Sequence, residues 1–486
     1  MRKAKNVGLI VAILVMSLVL VRVGTFGISQ RTLPSNGSIM YTSAINSTVG
    51  FVVSLDGSGD FKDIQSAINA VPPFSRGIIQ VKEGVYDLNP HYAYPYETIV
   101  VRSNLAIIGS GIDRTVIRSF PAKQPFGSQI RAMSVTSIGD IENVVIENLT
   151  VAQNGTPDNL GWSAIDLRGG SCQNMTIRNV KIADITGAAI GVRQFANFTV
   201  ENCILERAYT GIALAGGSFA LVKGNRITNM SGDGIFPQSL QSSGVSCTDL
   251  VIENNYIENV GDTGIDITSR EPLGPHERIT IQGNSLKNAT IRVTYSRQIK
   301  ILNNTIVGGN INVDKGVAAP IDVLVRGNKI RTSDNYGIGF YGAENSSAIG
   351  NEVIMTPGDI TQSGIHAAIR GVGLIEGNTI IGARDYGISF NGWGLGGDAQ
   401  LTLRLNVILD FGNVGVWDDN RSQGHVLVEN NTIWDRQQSF ISRYGLRTDY
   451  ELNRWTIRYN IVFAGTISCI SAPRSNVYGN IYEPPR

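Results

Sequence analysis

Residues that could act chemically on an acidic sugar are concentrated between positions 264 and 315. The stretch GIDITSREPLGPHERITI (264–281) contains carboxylates, arginines and a histidine, and further charged residues follow at 292 and 314–315. A lyase or C5-epimerase acting on a uronic acid needs one group to neutralise the carboxylate, one to remove the C5 proton and one to return a proton. The candidate catalytic residues of this kind are Asp266, His276, Arg292 and Lys315, and the candidate substrate contacts among them are Glu271 and Asp314.

Each of these residues is assigned the role that its side chain suits. Arg292 or Lys315 could neutralise the uronate carboxylate, and His276, which we expect on a loop, could act as the base. Asp266 or Glu271 could orient the base or bind Ca²⁺. The alternative is that all of them are ordinary solvated residues, because any exposed strand face needs polar side chains.

A second set of candidate substrate contacts lies further along the chain. His366 and Arg370, together with Tyr341 and Asn391, could form a separate sugar subsite. Trp417 offers a flat apolar face on which a sugar ring could lie. We expect the His366 group to lie about 19 Å from Asp266, too far to share one reaction centre.

The histidines do not indicate a transition-metal centre. They stand at positions 91, 276, 366 and 425, never at the spacing of metal ligands, so the sequence predicts no zinc or copper site. No phosphate-binding loop and no nucleophile elbow occurs. No cofactor is therefore identified. Ca²⁺ is a possible ion for the carboxylates, and its ligand set is left open.

The elements that must position these residues are indicated by the stretch DVLVRGNKIR (322–331). Val323 and Val325 alternate with polar residues, as in a short strand with one buried face. Gly327 and Asn328 then turn the chain, since both residue types tolerate a left-handed backbone, and Ile330 points inward again. A strand, a tight turn, a strand stub, a loop and a third strand would make one coil of a parallel β-helix.

The same frame recurs along most of the chain at spacings of 20 to 31 residues. This is the period range of solenoids, and Asn at the turns can form an internal hydrogen-bonded ladder. We predict an all-β, right-handed parallel β-helix with an N-terminal capping helix; the alternative solenoid, a leucine-rich repeat, has a more regular, leucine-dominated frame. The predicted turn positions are Leu149, Val180, Cys203, Asn225, Asn255, Asn284, Asn304, Asn328, Asn351, Asn378, Asn406, Asn431, Asn460 and Asn480.

Four regions follow from composition. Residues 1–28 combine a basic start with an apolar run and read as a signal peptide or a membrane anchor. Residues 29–50 are predicted to be a flexible linker, 51–140 the N-terminal cap and first coils, and 141–486 the β-helix repeats. The formal net charge of +1, with no long charged run, argues against nucleic acid as a partner.

A capping helix is predicted just after the linker. Asp60 could cap it, and Phe61, Ile64, Ile68 and Val71 fall on one helical face. Such an element would cover the unpaired strand edge at the end of the solenoid.

The cysteines do not indicate a disulfide framework. Cys172 and Cys247 lie eight residues before their turn positions but three coils apart, about 14 Å, whereas a disulfide needs Cα atoms within about 7 Å. We predict that all four cysteines are free thiols in the core or at turns.

Residues 51–118 resemble the N-terminal part of pectinesterases and of other proteins in the pectin-lyase-like superfamily of right-handed β-helices. The passages that carry the resemblance are DGSGDFKDIQSAINAVP, GIIQVKEGVYDL and LAIIGSGIDRTVI. Pectinesterases carry catalytic aspartates in Q-D-T and D-F-I-F-G motifs, whereas the comparable coils here read ERAYTGIALAGG and SGDGIFPQ. A pectinesterase activity is therefore not expected.

In addition, GPHE (274–277) is similar to the D-P-H-E motif of mannuronan C5-epimerases, with Gly274 in place of the aspartate.

Two functional hypotheses remain open at this stage. The first is an exported lyase or C5-epimerase acting on an acidic polysaccharide, located outside the cell or at its surface. The second is a non-catalytic cell-surface structural or adhesion protein that binds carbohydrate. In both, the expected partner is an acidic polysaccharide or a surface glycan, with membrane anchorage through the N-terminus as an option.

Overall fold

The structure is a computed structural model, and it describes the chain from residue 47 to residue 482 with several gaps. The described ranges are 47–88, 99–119, 135–137, 139–153, 163–240, 244–269, 273–358, 361–390, 399–418, 424–436, 444–448, 454–463, 468–473 and 475–482. The predicted signal or anchor (1–28) and nearly all of the predicted linker lie outside them. The first strand begins at Thr48, within the range 29–50 that was predicted to be a linker.

The described chain contains one helix and 44 strands. No helix in these ranges is long and apolar enough to cross a membrane. In the N-terminal part the elements are β1 Thr48–Val53, α1 Ile64–Ala70, β2 Arg76–Val81, β3 Gly84–Leu88, β4 Ile99–Val101, β5 Leu105–Gly109, β6 Thr115–Ser119, β7 Val135–Ser137, β8 Ile141–Gln153, β9 Ile165–Leu167, β10 Cys172–Ala183, β11 Ala188–Glu201, β12 Ile204–Glu206, β13 Thr210–Lys223, β14 Arg226–Met230 and β15 Ile235–Gln238.

The central elements are β16 Cys247–Glu253, β17 Tyr256–Val260, β18 Ile265–Thr268, β19 His276–Gln282, β20 Ser285–Lys287, β21 Ile291–Thr294, β22 Ser296–Leu302, β23 Thr305–Val307, β24 Ile311–Asp314, β25 Ile321–Arg326, β26 Lys329–Thr332, β27 Tyr336–Glu344, β28 Ser347–Ile349, β29 Glu352–Met355 and β30 Ser363–Arg370. The C-terminal elements are β31 Val372–Glu376, β32 Thr379–Ile381, β33 Tyr386–Phe390, β34 Gln400–Arg404, β35 Val407–Leu409, β36 Val414–Asp418, β37 His425–Glu429, β38 Thr432–Trp434, β39 Tyr444–Thr448, β40 Arg454–Arg458, β41 Ile461–Phe463, β42 Ser468–Ser471, β43 Asn476–Tyr478 and β44 Ile481–Tyr482.

These strands form a parallel β-helix in which each strand pairs with the equivalent strand of the next coil. For example, β25 pairs in parallel with β22 on one side and with β28 on the other. The alternation predicted for the repeat is confirmed, because Val323, Val325 and Ile330 are each at most 2% exposed. The core is a continuous stack of such inward aliphatic side chains, each of which contributes roughly 2 kcal/mol of burial free energy.

The predicted Asn ladder is confirmed at all eleven positions from Asn225 to Asn480. From Asn255 onward, each Asn Oδ1 accepts hydrogen bonds from the backbone N–H and the side-chain amide of the Asn one coil earlier, at 2.9 to 3.0 Å. The Oδ1 of Asn225, the first residue of the row, accepts from the Cys203 N–H. We call this row of eleven residues the Asn ladder.

The structure decides which of the two predicted turn residues is left-handed. The left-handed residue is not the ladder Asn but the residue before it: Gly327 has φ +66°, and Asn303, which precedes Asn304, has φ +53°. The ladder Asn is therefore required for its side-chain hydrogen bonds, whereas the tolerance of a left-handed backbone is required one position earlier.

The predicted helix exists, but its start differs. It runs from Ile64 to Ala70 and is capped by Asp63, whose carboxylate accepts from the Ser66 N–H at 2.7 Å. The predicted cap, Asp60, instead accepts from the Val52 N–H at 2.8 Å, and Phe61 pairs with Val53. Because the Asp60 carboxylate is already hydrogen-bonded to strand β1, Asp63 caps the helix instead.

The four cysteines are free and buried, as predicted. Cys172 and Cys247 are separated by three coils, because Cys172 pairs with Phe195, Phe195 with Gly217, and Gly217 with Cys247. Burial raises the pKa of Cys172 and Cys247 to about 12, so neither is a reactive thiolate at neutral pH.

Candidate functional site

Several of the candidate residues lie in a column that has one residue on each coil. Cross-strand pairing links its members directly, and neighbours are about 4.8 Å apart. We call this row the outer column; it consists of Asp266, Arg292, Asn312, Gly339, His366, Ser389, Trp417 and Arg447.

At its start, the outer column holds a buried ion pair. Arg292 binds Asp266 through two hydrogen bonds, Nη2 to Oδ2 at 2.6 Å and Nε to Oδ1 at 3.0 Å. The Thr268 hydroxyl also donates to Asp266, whose side chain is only 3% exposed, against 34% for Arg292. These bonds raise the pKa of Arg292, and they direct its fork toward Asp266.

A second acid, Asp233, lies beside this pair. Its carboxylate accepts from the Thr263 N–H at 3.2 Å and is 8% exposed. Burial, followed by the charges of Asp266 and Asp262, raises the pKa of Asp233 to about 6. The Asp233 carboxyl therefore changes protonation close to neutral pH.

The position predicted for His276 is wrong. His276 does not lie on a loop but begins strand β19, with its side chain fully buried. Its Nδ1 accepts from the Cys247 N–H at 3.0 Å, which leaves the ring proton on Nε2 to donate to the Thr268 carbonyl at 3.2 Å. Burial lowers its pKa to about 4. His276 thus packs as a neutral core residue and does not reach a substrate on the outer face.

The remaining members of the first predicted group are spread over separate positions. Asp314 pairs with Thr294 and Tyr341, two places along its coil from the outer column, and burial raises its pKa. Lys315 follows it on the exposed surface. Glu271 and Asn391 lie outside the described residues. Of the candidate catalytic residues, only Asp266 and Arg292 are therefore brought into contact.

A cleft of about 240 Å³ opens on the second half of the outer column. Its walls are mostly aromatic, and its floor carries hydroxyl groups and one imidazole. We call it the aromatic cleft; its lining residues are Asn335, Tyr336, Tyr341, Thr361, Ser363, His366, Tyr386, Ser389, Phe390 and Trp417.

The aromatic rings of the cleft are stacked on one another. Tyr386 and Trp417 are nearly parallel, with centroids 4.1 Å apart and planes at 13°. Tyr341 stacks on His366 at 4.5 Å, and Tyr336 meets Tyr341 edge-on at 5.3 Å. Because each ring is fixed by its neighbour, little side-chain entropy is lost when a ligand lies on them.

The floor of the cleft is a short hydrogen-bonded chain. The Ser363 and Ser389 hydroxyls lie 2.8 Å apart, and the Ser389 hydroxyl lies 3.1 Å from His366 Nδ1. All three side chains belong to residues that are at most 8% exposed.

Beyond Trp417, the next coil presents a cation. Arg447 pairs with Trp417 across the strands, and its guanidinium lies 4.8 Å from the centre of the Tyr444 ring. A ligand that extends past Trp417 would therefore meet a positive charge about one coil further on.

The predicted second group is only partly assembled. His366, Trp417 and Tyr341 line one cleft, but Arg370 does not, since it ends β30 and pairs with Glu344. Sequence reasoning missed Tyr336, Tyr386, Ser363 and Ser389. The signal for the tyrosines was the recurrent Tyr-Gly pair at 336–337, 386–387 and 444–445, which precedes the inward residue of each coil.

A Ca²⁺ site is not evident in the described ranges, which contain no group of three or more His, Cys, Asp or Glu side chains that could hold a metal ion. The Asp266 carboxylate, one of the two proposed Ca²⁺ ligands, is bound by Arg292 instead.

Comparison with known proteins establishes the family. Residues 134–306 and 308–433, more than half of the chain, match the right-handed β-helix region model, so the chain belongs to that family. Residues 50–195 also match the pectinesterase model. The predicted resemblance to pectinesterases is thus confirmed, and it extends beyond residue 118.

The similar curated proteins are plant pectinesterases. A putative pectinesterase/pectinesterase inhibitor 38 of Arabidopsis thaliana is 32% identical over 158 residues, covering 32% of this chain and 30% of that protein. Pectinesterase 2 of Citrus sinensis is 31% identical over 123 residues, or 25% of this chain and 22% of that protein. The chain therefore spans less than a third of the length of these relatives.

Among solved structures, the A-module of the Azotobacter vinelandii mannuronan C-5 epimerase AlgE6 aligns with 87% of this chain and 95% of that chain, at 17% identity and a TM-score of 0.43. This likeness concerns the fold alone.

Proposed function

We propose that the chain is an exported, polysaccharide-directed β-helix protein whose aromatic cleft binds an acidic sugar chain. The observation that carries the proposal is the stacked pair Tyr386 and Trp417 at the side of an open cleft lined by hydroxyl groups. Flat apolar faces combined with a few placed polar groups are the usual construction of a small-ligand site. The similarity to pectinesterases over residues 50–195 supports a polysaccharide as the ligand.

The acidic character of the sugar is inferred from charge. None of the described residues that line the aromatic cleft is a carboxylate, while Arg447 stands on the coil next to Trp417. Guanidinium groups bind carboxylates through two parallel hydrogen bonds. A uronate chain lying along the outer column would thus place one carboxylate near Arg447 and one ring on Trp417.

Binding is tested by titrating the protein with oligogalacturonate, oligomannuronate and neutral oligoglucan of equal length, followed by calorimetry and tryptophan fluorescence. We expect the uronates to bind and Trp417→Ala to weaken them about tenfold or more, as truncation of an aromatic anchor typically costs about 1–2 kcal/mol. The matched control is Trp434→Ala, since Trp434 is 44% exposed and lies outside the cleft. An equal loss of uronate affinity in Trp417→Ala and Trp434→Ala, or tighter binding of the neutral oligoglucan than of the uronates, contradicts the proposal.

A second candidate function is uronate C5 chemistry, as a lyase or epimerase, at the coils of Asp266 and Arg292. The observation that favours it is Asp233, an acid with a pKa of about 6 beside a guanidinium. A group that titrates near the working pH is suited to proton transfer. In this second candidate function, Asp233 would exchange the C5 proton. It would take the role of base that was predicted for His276, which is buried in the core.

The second candidate is tested with the same polyuronates, following absorbance of the unsaturated product and C5 configuration by NMR. Asp233→Asn should reduce turnover at least about a hundredfold if the acid transfers the proton. Unchanged oligouronates in the presence of the wild-type protein, combined with measurable binding, favour the non-catalytic alternative, a cell-surface protein that binds carbohydrate.

A further inference from the structure

The floor of the aromatic cleft contains a hydroxyl group bonded to an imidazole. Ser389 and His366 are paired neighbours on adjacent coils, and Ser389 Oγ lies 3.1 Å from His366 Nδ1. A serine hydroxyl is a weak nucleophile until a base within hydrogen-bond reach can accept its proton. The distance between these two groups meets that geometric requirement.

Both groups are fixed by their surroundings. His366 is held between the strand and the Tyr341 ring, which stacks on it at 4.5 Å. Ser389 has a second hydrogen bond, to the Ser363 hydroxyl at 2.8 Å. If Ser363 donates to Ser389, the Ser389 proton is directed to His366, so that the nucleophile, the base and two orienting groups share one rigid sheet face.

A second buried serine pair shows what is unusual here. Ser239 and Ser269 also lie 2.8 Å apart on adjacent coils, but in the described part of the chain neither hydroxyl is hydrogen-bonded to an imidazole. Paired serines therefore also occur at a position without an imidazole. At Ser389 the pair is combined with an imidazole and with an open cleft above it.

The chemistry of the lining residues selects the reaction. Hydrolysis of a glycosidic bond ordinarily uses two carboxylic acids, and none of the described residues that line the cleft carries one. A hydroxyl group activated by an imidazole is instead suited to acyl transfer. Polysaccharides offer such a bond where a sugar hydroxyl is esterified with a small acyl group.

We propose that the aromatic cleft hydrolyses O-acyl esters of a polysaccharide, with Ser389 as the nucleophile and His366 as the general base. The proposal rests on the proposed carbohydrate binding by this cleft. Ser389 Oγ attacks the acyl carbonyl while its proton moves to His366. The tetrahedral intermediate expels the sugar hydroxyl, which takes that proton. Water then attacks the acyl carbonyl of the Ser389 ester while its proton moves to His366. The bond to Ser389 Oγ breaks, Oγ takes the proton back from His366, and the carboxylic acid leaves.

The phenols of the cleft fit the same reaction. Burial, followed by the charges of Asp314 and Asp334, raises the pKa of Tyr336 to about 12, and burial also raises that of Tyr341. Both phenols therefore keep their protons at neutral pH. A protonated phenol on the cleft wall can donate a hydrogen bond to the negative oxygen that develops on the acyl carbonyl.

The test uses the full chain, a fluorophosphonate probe and acetylated oligogalacturonate. We expect the probe to modify wild-type protein, with the adduct located on the peptide that contains Ser389, and we expect acetate release from the oligosaccharide. Ser389→Ala should abolish both, and His366→Gln should lower both about a hundredfold or more, as loss of a general base does. Ser239→Ala, in the pair that has no imidazole, should behave as wild type.

The adduct is located in the unmodified wild-type sequence, so the result does not depend on the folding of a variant. Absence of an adduct on Ser389 together with no acetate release overturns the proposal. If oligogalacturonate still binds with a change in Trp417 fluorescence, the proposed carbohydrate binding stands and only the esterase is lost. If labelling and acetate release persist in Ser389→Ala, another residue is the nucleophile and the assignment is wrong.

Discussion

The Asn ladder and the outer column both place one residue on each coil that they span, yet they differ in composition. The ladder has the same residue in eleven successive coils. The outer column changes from an ion pair at Asp266 and Arg292 to an imidazole, a hydroxyl and an indole at His366, Ser389 and Trp417. Repetition of the backbone alone therefore does not decide the residue type.

The difference arises from what each row faces. A ladder Asn sees the same surroundings in each coil: a backbone carbonyl below, an N–H to accept from, and another Asn above. One side chain satisfies all of them, so the choice is repeated. The outer column lies outside the core, where its surroundings and any bound ligand differ from coil to coil, so each coil is free to contribute a different group.

The largest expected effect comes from breaking the ladder. Asn328→Leu removes the acceptor of the Asn304 N–H and the donors to the Ile301 carbonyl and Asn351 Oδ1, all in a fully buried site. Each buried group left without a partner costs roughly 1–3 kcal/mol, so we expect a loss of about 4 kcal/mol or more of unfolding free energy, measured by chemical denaturation.

The same substitution on the outer column is the control. Asn312 is half-buried, and its Oδ1 makes no hydrogen bond within the described part of the chain. Asn312→Leu should therefore change stability by less than about 1 kcal/mol. A similar loss in the two variants would mean that the ladder is not what distinguishes the two rows.

This contrast explains how far the sequence could predict the molecule. The fold and the register follow from a frame that recurs because its environment recurs, which is why all the ladder positions were predicted correctly. The sequence left open which turn residue is left-handed, because Gly327 and Asn328 are adjacent and both residue types suit such a backbone. Only coordinates show which of the two adopts it.

The site was harder to predict because it depends on neighbours in different coils. His276 follows Gly274 and Pro275, a pair typical of loops, yet it begins a strand with its ring facing the core. Tyr386 and Trp417 are 31 positions apart in sequence, and nothing local to either one shows that they stack. The individual residues could be named, but their grouping could not.

A smaller effect is expected within the outer column, at its buried ion pair. Asp266→Ala leaves the Arg292 guanidinium and the Thr268 hydroxyl without their shared acceptor. We expect a loss of about 2–3 kcal/mol in chemical denaturation, below the usual range for buried pairs because Arg292 is 34% exposed.

The partner substitution sharpens this prediction. Replacing both groups, as Asp266→Ala with Arg292→Met, should recover part of the loss, since no buried charge is left unpaired. A double variant that is less stable than Asp266→Ala would show that the ion pair is not the source of the effect.

The smallest expected effect is a pH dependence at Asp233. Its folded-state pKa of about 6 is above the ordinary value of 3.8, so the folded protein holds this proton more tightly than the unfolded chain does. The carboxylate therefore destabilises the fold above pH 6, and the cost is relieved as the pH falls from about 6 to about 4. Asp233→Asn, which cannot ionise, should be more stable than wild type by about 1–2 kcal/mol at pH 7 and equal to it near pH 4.

Asp249 provides a control of opposite sign. Hydrogen bonds from Arg278 lower its pKa, so its carboxylate stabilises the fold above the unfolded value, and that contribution is lost as the pH falls through the folded pKa. Asp249→Asn should therefore be less stable than wild type at pH 7, where Asp233→Asn is more stable. Denaturation curves at pH 4, 5.5 and 7 separate the two cases. If Asp233→Asn tracks wild type at all three values, Asp233 is an ordinary carboxylate, and the proton-transfer role considered for it at the Asp266 and Arg292 coils loses its basis.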